Sequence, residues 1–129
     1  MKRMAVTLGD ASGVGPEIIL RRFAEGELGD DVVIYGDQAI LEAGAGLLDL
    51  SIALHVIDNP SDAVAGKLNL VNCAELDRDD LTPGQLNARS GAAARAYVAR
   101  ATLDAIAGEV AGVVTLPMNK EATQISDPE

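Results

Sequence analysis

Apolar positions fall into short runs broken by glycine, aspartate and proline, and the runs alternate between strand-like and helix-like patterns. Met4 to Leu8 is a largely apolar run closed by Gly9-Asp10, the pattern of a buried strand. Pro16 stands where a first helical turn tolerates its missing N–H, and Glu17 suits the positive end of that helix dipole. Ile18, Ile19, Leu20 and Phe23 give this helix its apolar face, and Gly26 and Gly29 end it. Val32 to Tyr35 reads as a second strand, closed by Gly36-Asp37. A helix over Gln38 to Leu48 follows, weakened by Gly44 and Gly46. Ser51 to Ile57 is a third strand candidate, Pro60, Ser61 and Asp62 carry turn chemistry, and Leu68 to Asn72 is a fourth strand. The polar stretch from Glu75 to Gln85, with Thr82-Pro83-Gly84, predicts an exposed loop.

From Asn87 to Ala107 the chain is Ala-rich and helical. Ala92, Ala96, Ala99, Leu103 and Ile106 recur at alternating steps of four and three, which marks one apolar face. Gly108 ends the helix, Val110 to Leu116 predicts a buried strand, and Pro117 to Glu121 turns the chain toward another helix. This order predicts an α/β fold, layered, with a largely parallel sheet and flanking helices. No internal repeat, low-complexity linker or domain boundary interrupts it.

Composition narrows the functional classes. Hydrophobic residues make up 48% of the 129, enough for a core, but aromatics are only 2%, so Ala, Val, Leu and Ile must build it. A net charge of −10 with scattered basic residues argues against a nucleic-acid partner. Cys73 is the single cysteine, which leaves no disulfide framework and no cysteine-based zinc site. Gly9 and Asp10 cut the first apolar run too short for a signal peptide, and no stretch approaches the ~18 apolar residues of a membrane span. A cytoplasmic location is expected.

Two segments carry candidate chemistry. The first is Thr7 to Glu17, in which Gly9, Asp10, Gly13 and Gly15 lie between a strand and a helix. Glycines there permit close backbone approach, and the helix start offers free N–H groups to a cofactor phosphate. A tight turn without a ligand has the same spacing. A dinucleotide fingerprint fits only in part: Gly13 and Gly15 supply two glycines and Asp37 sits where a ribose-binding acid belongs, but Ile18 occupies the third glycine position. The second segment is Thr115 to Glu121, where Asn119 and Lys120 can hold a polar substrate or a phosphate. The bland reading is a capping Asn119 beside a solvated Lys120. His55, the single histidine, lies in an alternating strand pattern and reads as structural. The Asp77-to-Asp80 charge run lacks calcium-loop spacing and reads as solvated. Ser90 is followed by Gly91, but no nucleophile-elbow pattern surrounds it.

Taken together, Gly9-Asp10 with Gly13 to Glu17, Leu81 to Leu86, Ser90-Gly91 with its Ala-rich helix, and Val113-Val114-Thr115 with Pro117 to Ala122 resemble the 4-hydroxythreonine-4-phosphate dehydrogenase (PdxA) family. The resemblance covers nearly the whole chain and identifies residues 1–129 as the amino-terminal portion of such an enzyme. It implies an isocitrate/isopropylmalate-dehydrogenase-like fold, a homodimer and an active site between domains. It also implies oxidation of a phosphorylated hydroxy acid, with NAD as hydride acceptor and a divalent metal, commonly zinc, as Lewis acid. Gly9, Asp10, Gly13 and Gly15 are then expected beside the cofactor, and Asn119 and Lys120 beside the substrate. The family's metal-binding histidines and its Gly-His-Thr substrate segment have no counterpart within residues 1–129. No catalytic or metal-ligating residue is therefore expected in this chain, and neither cofactor is expected to bind it alone. Ala11-Ser12 departs from the Pro-Ala of the vitamin B6 enzymes, which leaves erythronate or threonate phosphates and ring diols as alternative substrates. A non-catalytic α/β domain that binds an anion or a protein is the reading from another class.

Overall fold

The computed structural model describes residues 2–11, 13–81 and 88–116 of the chain, with the side chain of Arg78 left aside. Its elements alternate as β1 (Met4–Thr7), α1 (Gly15–Ala24), β2 (Val32–Gly36), α2 (Gln38–Leu47), β3 (Leu54–Ile57), β4 (Leu68–Asn72), α3 (Ala88–Ile106) and β5 (Val113–Thr115). Short 3-10 turns at Pro60–Asp62 and Arg78–Asp80 join the later strands. The strands form one sheet in the order β3-β4-β2-β1-β5, and each described pairing is parallel. The predicted α/β class and parallel sheet are thus found. The helix expected after Pro117 lies outside the described residues.

Handedness explains the layers. Right-handed crossovers from β1 to β2 and from β2 toward β3 run in one direction and put α1 and α2 on one face, where they pack on each other. The crossover from β4 to β5 runs the opposite way and puts α3 on the other face, against β1, β2 and β5. Ile19 and Leu20 of α1 and Ile40 and Leu41 of α2 are buried beneath the first pair. Ala93, Ala94, Tyr97 and Ala101 of α3 are buried on the opposite side. With so few aromatics, the two tyrosines fill much of that layer: Tyr35 and Tyr97 are both fully buried.

Four sequence expectations need correction. The predicted apolar face of α3 (Ala92, Ala96, Ala99, Leu103, Ile106) is the outward one, with Leu103 64% and Ile106 79% exposed. The helix is apolar on both sides, and the side that carries Tyr97 among Ser90, Gly91, Ala93, Ala94 and Ala101 packs on the sheet. The strand predicted over Val110 to Leu116 is only Val113–Thr115. It is an edge strand with Val114 and Thr115 exposed, so nothing described covers its outer side. Within the Glu75-to-Gln85 loop, Leu76 is buried in the core. In the charge run, Asp80 is also buried, accepts the Asp77 backbone N–H at 2.9 Å and pairs with Arg89 at 3.2 Å.

Polar ties join the helices to the strands. The Tyr35 hydroxyl donates to Asp104 at 2.6 Å, and Arg100 also reaches Asp104, at 3.3 Å, while donating to the Asp58 carbonyl at 2.9 Å. Tyr97 donates its hydroxyl to the buried Asp37 carboxylate. Burial foremost, and then these bonds to carboxylates, push both phenols above the ordinary tyrosine range; burial likewise pushes the Cys73 thiol up to about 12.

Because the folded chain holds these protons more tightly than the unfolded chain, their contribution is complete below the unfolded values, about 8.5 for Cys and about 10 for Tyr. It is lost as the pH rises through and beyond those values. The urea midpoint is therefore expected to hold steady from neutrality to about pH 8.5 and to fall steeply above about pH 10. Tyr97→Phe is expected to lower the stability at neutral pH by on the order of 1–3 kcal/mol, and the urea midpoint with it, and to make the alkaline fall shallower. An equal alkaline slope in both proteins would show that Tyr97 does not contribute.

Candidate functional site at the strand-order reversal

In open parallel sheets, ligands bind outside the carboxyl ends of the strands where the direction of winding reverses. Here the reversal falls at β1, between β2 on one side and β5 on the other. Thr7 is in register with Thr115, and the Leu116 N–H donates to the Thr7 carbonyl at 3.2 Å. The two segments singled out in the sequence therefore leave the sheet side by side. Gly9 to Gly15 continues from β1, and the chain leading to Asn119 and Lys120 continues from β5. Asn119 and Lys120 themselves lie outside the described residues.

Each predicted loop residue has a definable structural place. Gly9 has φ +75°, in the left-handed region that favours glycine, and it turns the chain out of the sheet. Asp10 is buried, and its carbonyl accepts the Gly13 N–H at 2.9 Å. Gly15 opens α1, and a Cβ there would overlap the Leu8 carbonyl oxygen and meet the Leu116 Cβ at 3.6 Å. Its glycine thus serves helix–strand packing. Gly13 differs: an added Cβ would meet the Asp10 carbonyl oxygen at 3.4 Å and the Asp10 Cβ at 3.7 Å, both ordinary contacts. Packing within the loop therefore does not require glycine at position 13.

The start of α1 is open. Val14 occupies the N-cap, is 56% exposed and provides no side-chain cap, and Pro16 follows in the first turn. Glu17, the acid of that turn, pairs with Arg21 at 3.4 Å, both more than half exposed. Beside the loop, Ala11, Gly13, Pro16, Leu20, Leu47 and Leu81 line a mostly aliphatic cleft of about 200 Å³. The geometry offers exposed backbone and the positive end of a helix dipole next to an apolar wall.

Asp37 is not the ribose-binding acid of a dinucleotide fingerprint. It is 1% exposed, and its carboxylate accepts the Glu75 N–H at 2.8 Å as well as the Tyr97 hydroxyl. Those bonds fasten the ends of β2 and β4 to α3, which makes it a structural residue. Sequence reasoning did not find this role; the signal would have been Tyr97, an isolated aromatic in an Ala-rich helix. His55 lies on edge strand β3, separated from β1 by β4 and β2, roughly 14 Å at the usual strand spacing. No group of three His, Cys, Asp or Glu side chains converges among the described residues. They do not fit a metal, and any metal used by a parent enzyme would need ligands from elsewhere. The Thr7 hydroxyl, buried at the end of β1, has no hydrogen-bond partner among the described residues.

A doubly wound α/β sheet with a glycine loop at its reversal defines the class. Residues 28–128 match the family of the pyridoxal phosphate biosynthetic protein PdxA, and the chain belongs to that family. It is 40% identical over 128 residues to D-threonate 4-phosphate dehydrogenase of Pectobacterium atrosepticum, a match covering 94% of this chain and 38% of the relative. It is 34% identical over 119 residues to 4-hydroxythreonine-4-phosphate dehydrogenase of Aquifex aeolicus, covering 92% and 36%. The structure of 4-hydroxythreonine-4-phosphate dehydrogenase from Klebsiella pneumoniae superposes with a TM-score of 0.90 at 37% identity, over 98% of this chain and 40% of that one. The chain thus spans well under half the length of the relatives it matches.

The two glycines make a test of the loop. Gly15→Ala is expected to lower the melting midpoint by roughly 5–15 °C, because backbone at Leu8 cannot yield. Gly13→Ala is expected to stay within about 0.5 kcal/mol of the parent. Thermal unfolding of both variants measures this, and equal losses would mean that the loop packs differently.

Proposed function

We propose that this chain is the cofactor-side portion of an NAD-dependent, divalent-metal-assisted dehydrogenase that oxidises a four-carbon hydroxy acid bearing a 4-phosphate. The observation that carries the reading is the pairing of β1, which leads into the glycine loop, with β5 at the strand-order reversal, in a chain of this family. The names of the relatives point to dehydrogenases of two such acids. In each, a secondary alcohol would give up its C–H as hydride and its O–H as a proton, leaving a ketone. NAD, when bound, supplies the hydride acceptor.

In this proposal the chain's own residues bind and orient. The exposed backbone at Gly13 and Val14, with the uncapped start of α1, takes a phosphate of the cofactor, and Gly13 is glycine because a ligand comes close. Gly9 and Asp10 hold the loop's shape, and Gly15 seats it on β1. Asn119 and Lys120 frame the substrate, the lysine as a counter-charge for phosphate. The metal, with zinc the expected ion, takes its ligands outside this chain. D-threonate 4-phosphate is the preferred substrate of the two, supported by the higher identity to that enzyme and by Ala11-Ser12 in the loop. A cytoplasmic homodimer that binds neither nucleic acid nor membrane completes the proposal. Among the described residues, no helix is long and apolar enough to cross a membrane.

The test places Gly13→Val in a full-length family enzyme carrying this stretch and measures NAD affinity by calorimetry alongside turnover. The expected result is at least about tenfold weaker NAD binding with the fold intact, a loss of about 1.4 kcal/mol. Unchanged affinity and turnover would remove the loop from the cofactor site and favour a non-catalytic anion- or protein-binding role for the domain.

A further inference from the structure

Thr7 closes an otherwise apolar β1 and is fully buried at the strand-order reversal. Its hydroxyl has no hydrogen-bond partner among the described residues. A hydroxyl enclosed in that state weakens a fold, and valine, of the same shape and equally suited to a strand, would avoid the loss. In-register neighbours in a parallel sheet share a face, so Thr7 faces α3 together with Tyr35. The tyrosines of that layer are committed elsewhere: Tyr35 gives its hydroxyl to Asp104, and Tyr97 gives its own to Asp37. Packing therefore gives the Thr7 hydroxyl no task.

The other in-register neighbour is Thr115, which is exposed at the end of β5. A shared face and a strand spacing of about 4.8 Å let rotation of the threonine side chains bring one hydroxyl within hydrogen-bond reach of the other. Backbone already ties the two strand ends, since the Leu116 N–H donates to the Thr7 carbonyl at 3.2 Å. We infer that Thr7 is a positioning residue: on ligand binding it donates its hydroxyl to that of Thr115, which points the Thr115 O–H outward to an anionic oxygen of the substrate. The direction follows from the chemistry of hydroxyls. A hydroxyl donates once and accepts twice, so a Thr115 oxygen that accepts from Thr7 keeps its own proton to give outward. The group beyond it must be an acceptor, and successive bonds in such a chain strengthen one another. A phosphorylated hydroxy acid presents two anionic acceptors, its carboxylate and its phosphate. This role rests on the dehydrogenase reading, and it accounts for threonine at both positions.

Thr7→Val, Thr7→Ser and Thr115→Val in a full-length family enzyme carrying this stretch test the relay, with D-threonate 4-phosphate as substrate. Thr7→Val is expected to raise KM at least about fivefold, with a smaller effect on kcat and no fall in the melting midpoint. Thr7→Ser keeps the hydroxyl and is expected to recover most of that loss. In a Thr115→Val background, Thr7→Val is expected to add little, because the two hydroxyls act as one unit. Inhibition by inorganic phosphate and by unphosphorylated D-threonate identifies the bound group, since Thr7→Val weakens whichever of them Thr115 contacts. An unchanged KM in Thr7→Val, additive effects of the two valines, or undiminished inhibition by both anions overturns the role. So does a lowered melting midpoint, the sign of a hydroxyl bonded inside the fold. A parent enzyme that oxidises neither D-threonate 4-phosphate nor 4-hydroxythreonine 4-phosphate would instead remove the dehydrogenase reading, an outcome seen before any substitution is made.

Discussion

The close approach of Gly15 to the carbonyl of Leu8, which leaves no room for a Cβ, governs how the remaining elements meet. With no side chain at position 15, α1 begins directly against the end of β1. Leu8 also donates its N–H to the Tyr35 carbonyl at 2.9 Å, and its side chain lies where a Cβ at Gly36 would come within 2.9 Å. One apolar residue just past the end of β1 therefore fixes the start of α1 and the end of β2 together. Gly9, Asp10 and Ala11 stay buried beside the place where the winding of the sheet reverses, and the chain is exposed at Gly13 and Val14. The site is a consequence of the packing.

Buried polar groups complete the framework, each engaged where an unpaired group would cost most. The Asp37 carboxylate ties α3 and the chain after β4 to the end of β2. Asn72 accepts the N–H groups of Gln38 and Ala74, at 3.1 and 3.2 Å, and so fastens the start of α2 to the same rim. These contacts all lie at the carboxyl ends of the strands. The rigidity they supply is what a loop must have if its backbone is to hold a ligand in one orientation.

The described residues bring together a loop, an open helix start and an apolar cleft, but no cluster of metal ligands. That division matches a protein whose relatives are more than twice as long. The described stretch supplies a glycine-shaped loop on a packed base, without a cluster that could hold a metal. Leu103 and Ile106 on the outer side of α3 and Val114 on β5 are exposed, apolar surface that is costly to keep in water.

Much of this architecture was legible in the amino-acid order. Apolar runs ended by Gly9-Asp10 and Gly36-Asp37 located β1 and β2, the run from Leu68 to Asn72 gave β4 with its observed bounds, and strand–helix alternation required a parallel sheet. These are local signals, carried by periodicity and by residues with special backbone freedom. The glycine loop was legible for the same reason, and it and three further motifs along the chain pointed in order to the family. The side on which α3 packs was not legible, because both of its faces are apolar and the partners of Tyr97 and Asp104, Asp37 and Tyr35, lie far away along the chain. Nor was the exposure of β5, which depends on a neighbouring strand that local sequence does not specify. Asp37 looked like a ligand-binding acid and Asp80 like a solvated one; both are buried, because Tyr97 and Arg89, 60 and nine positions away, come to meet them. Sequence determined the elements and their order through local chemistry. Tertiary structure decided which faces and which carboxylates are used, because those choices depend on partners distant along the chain.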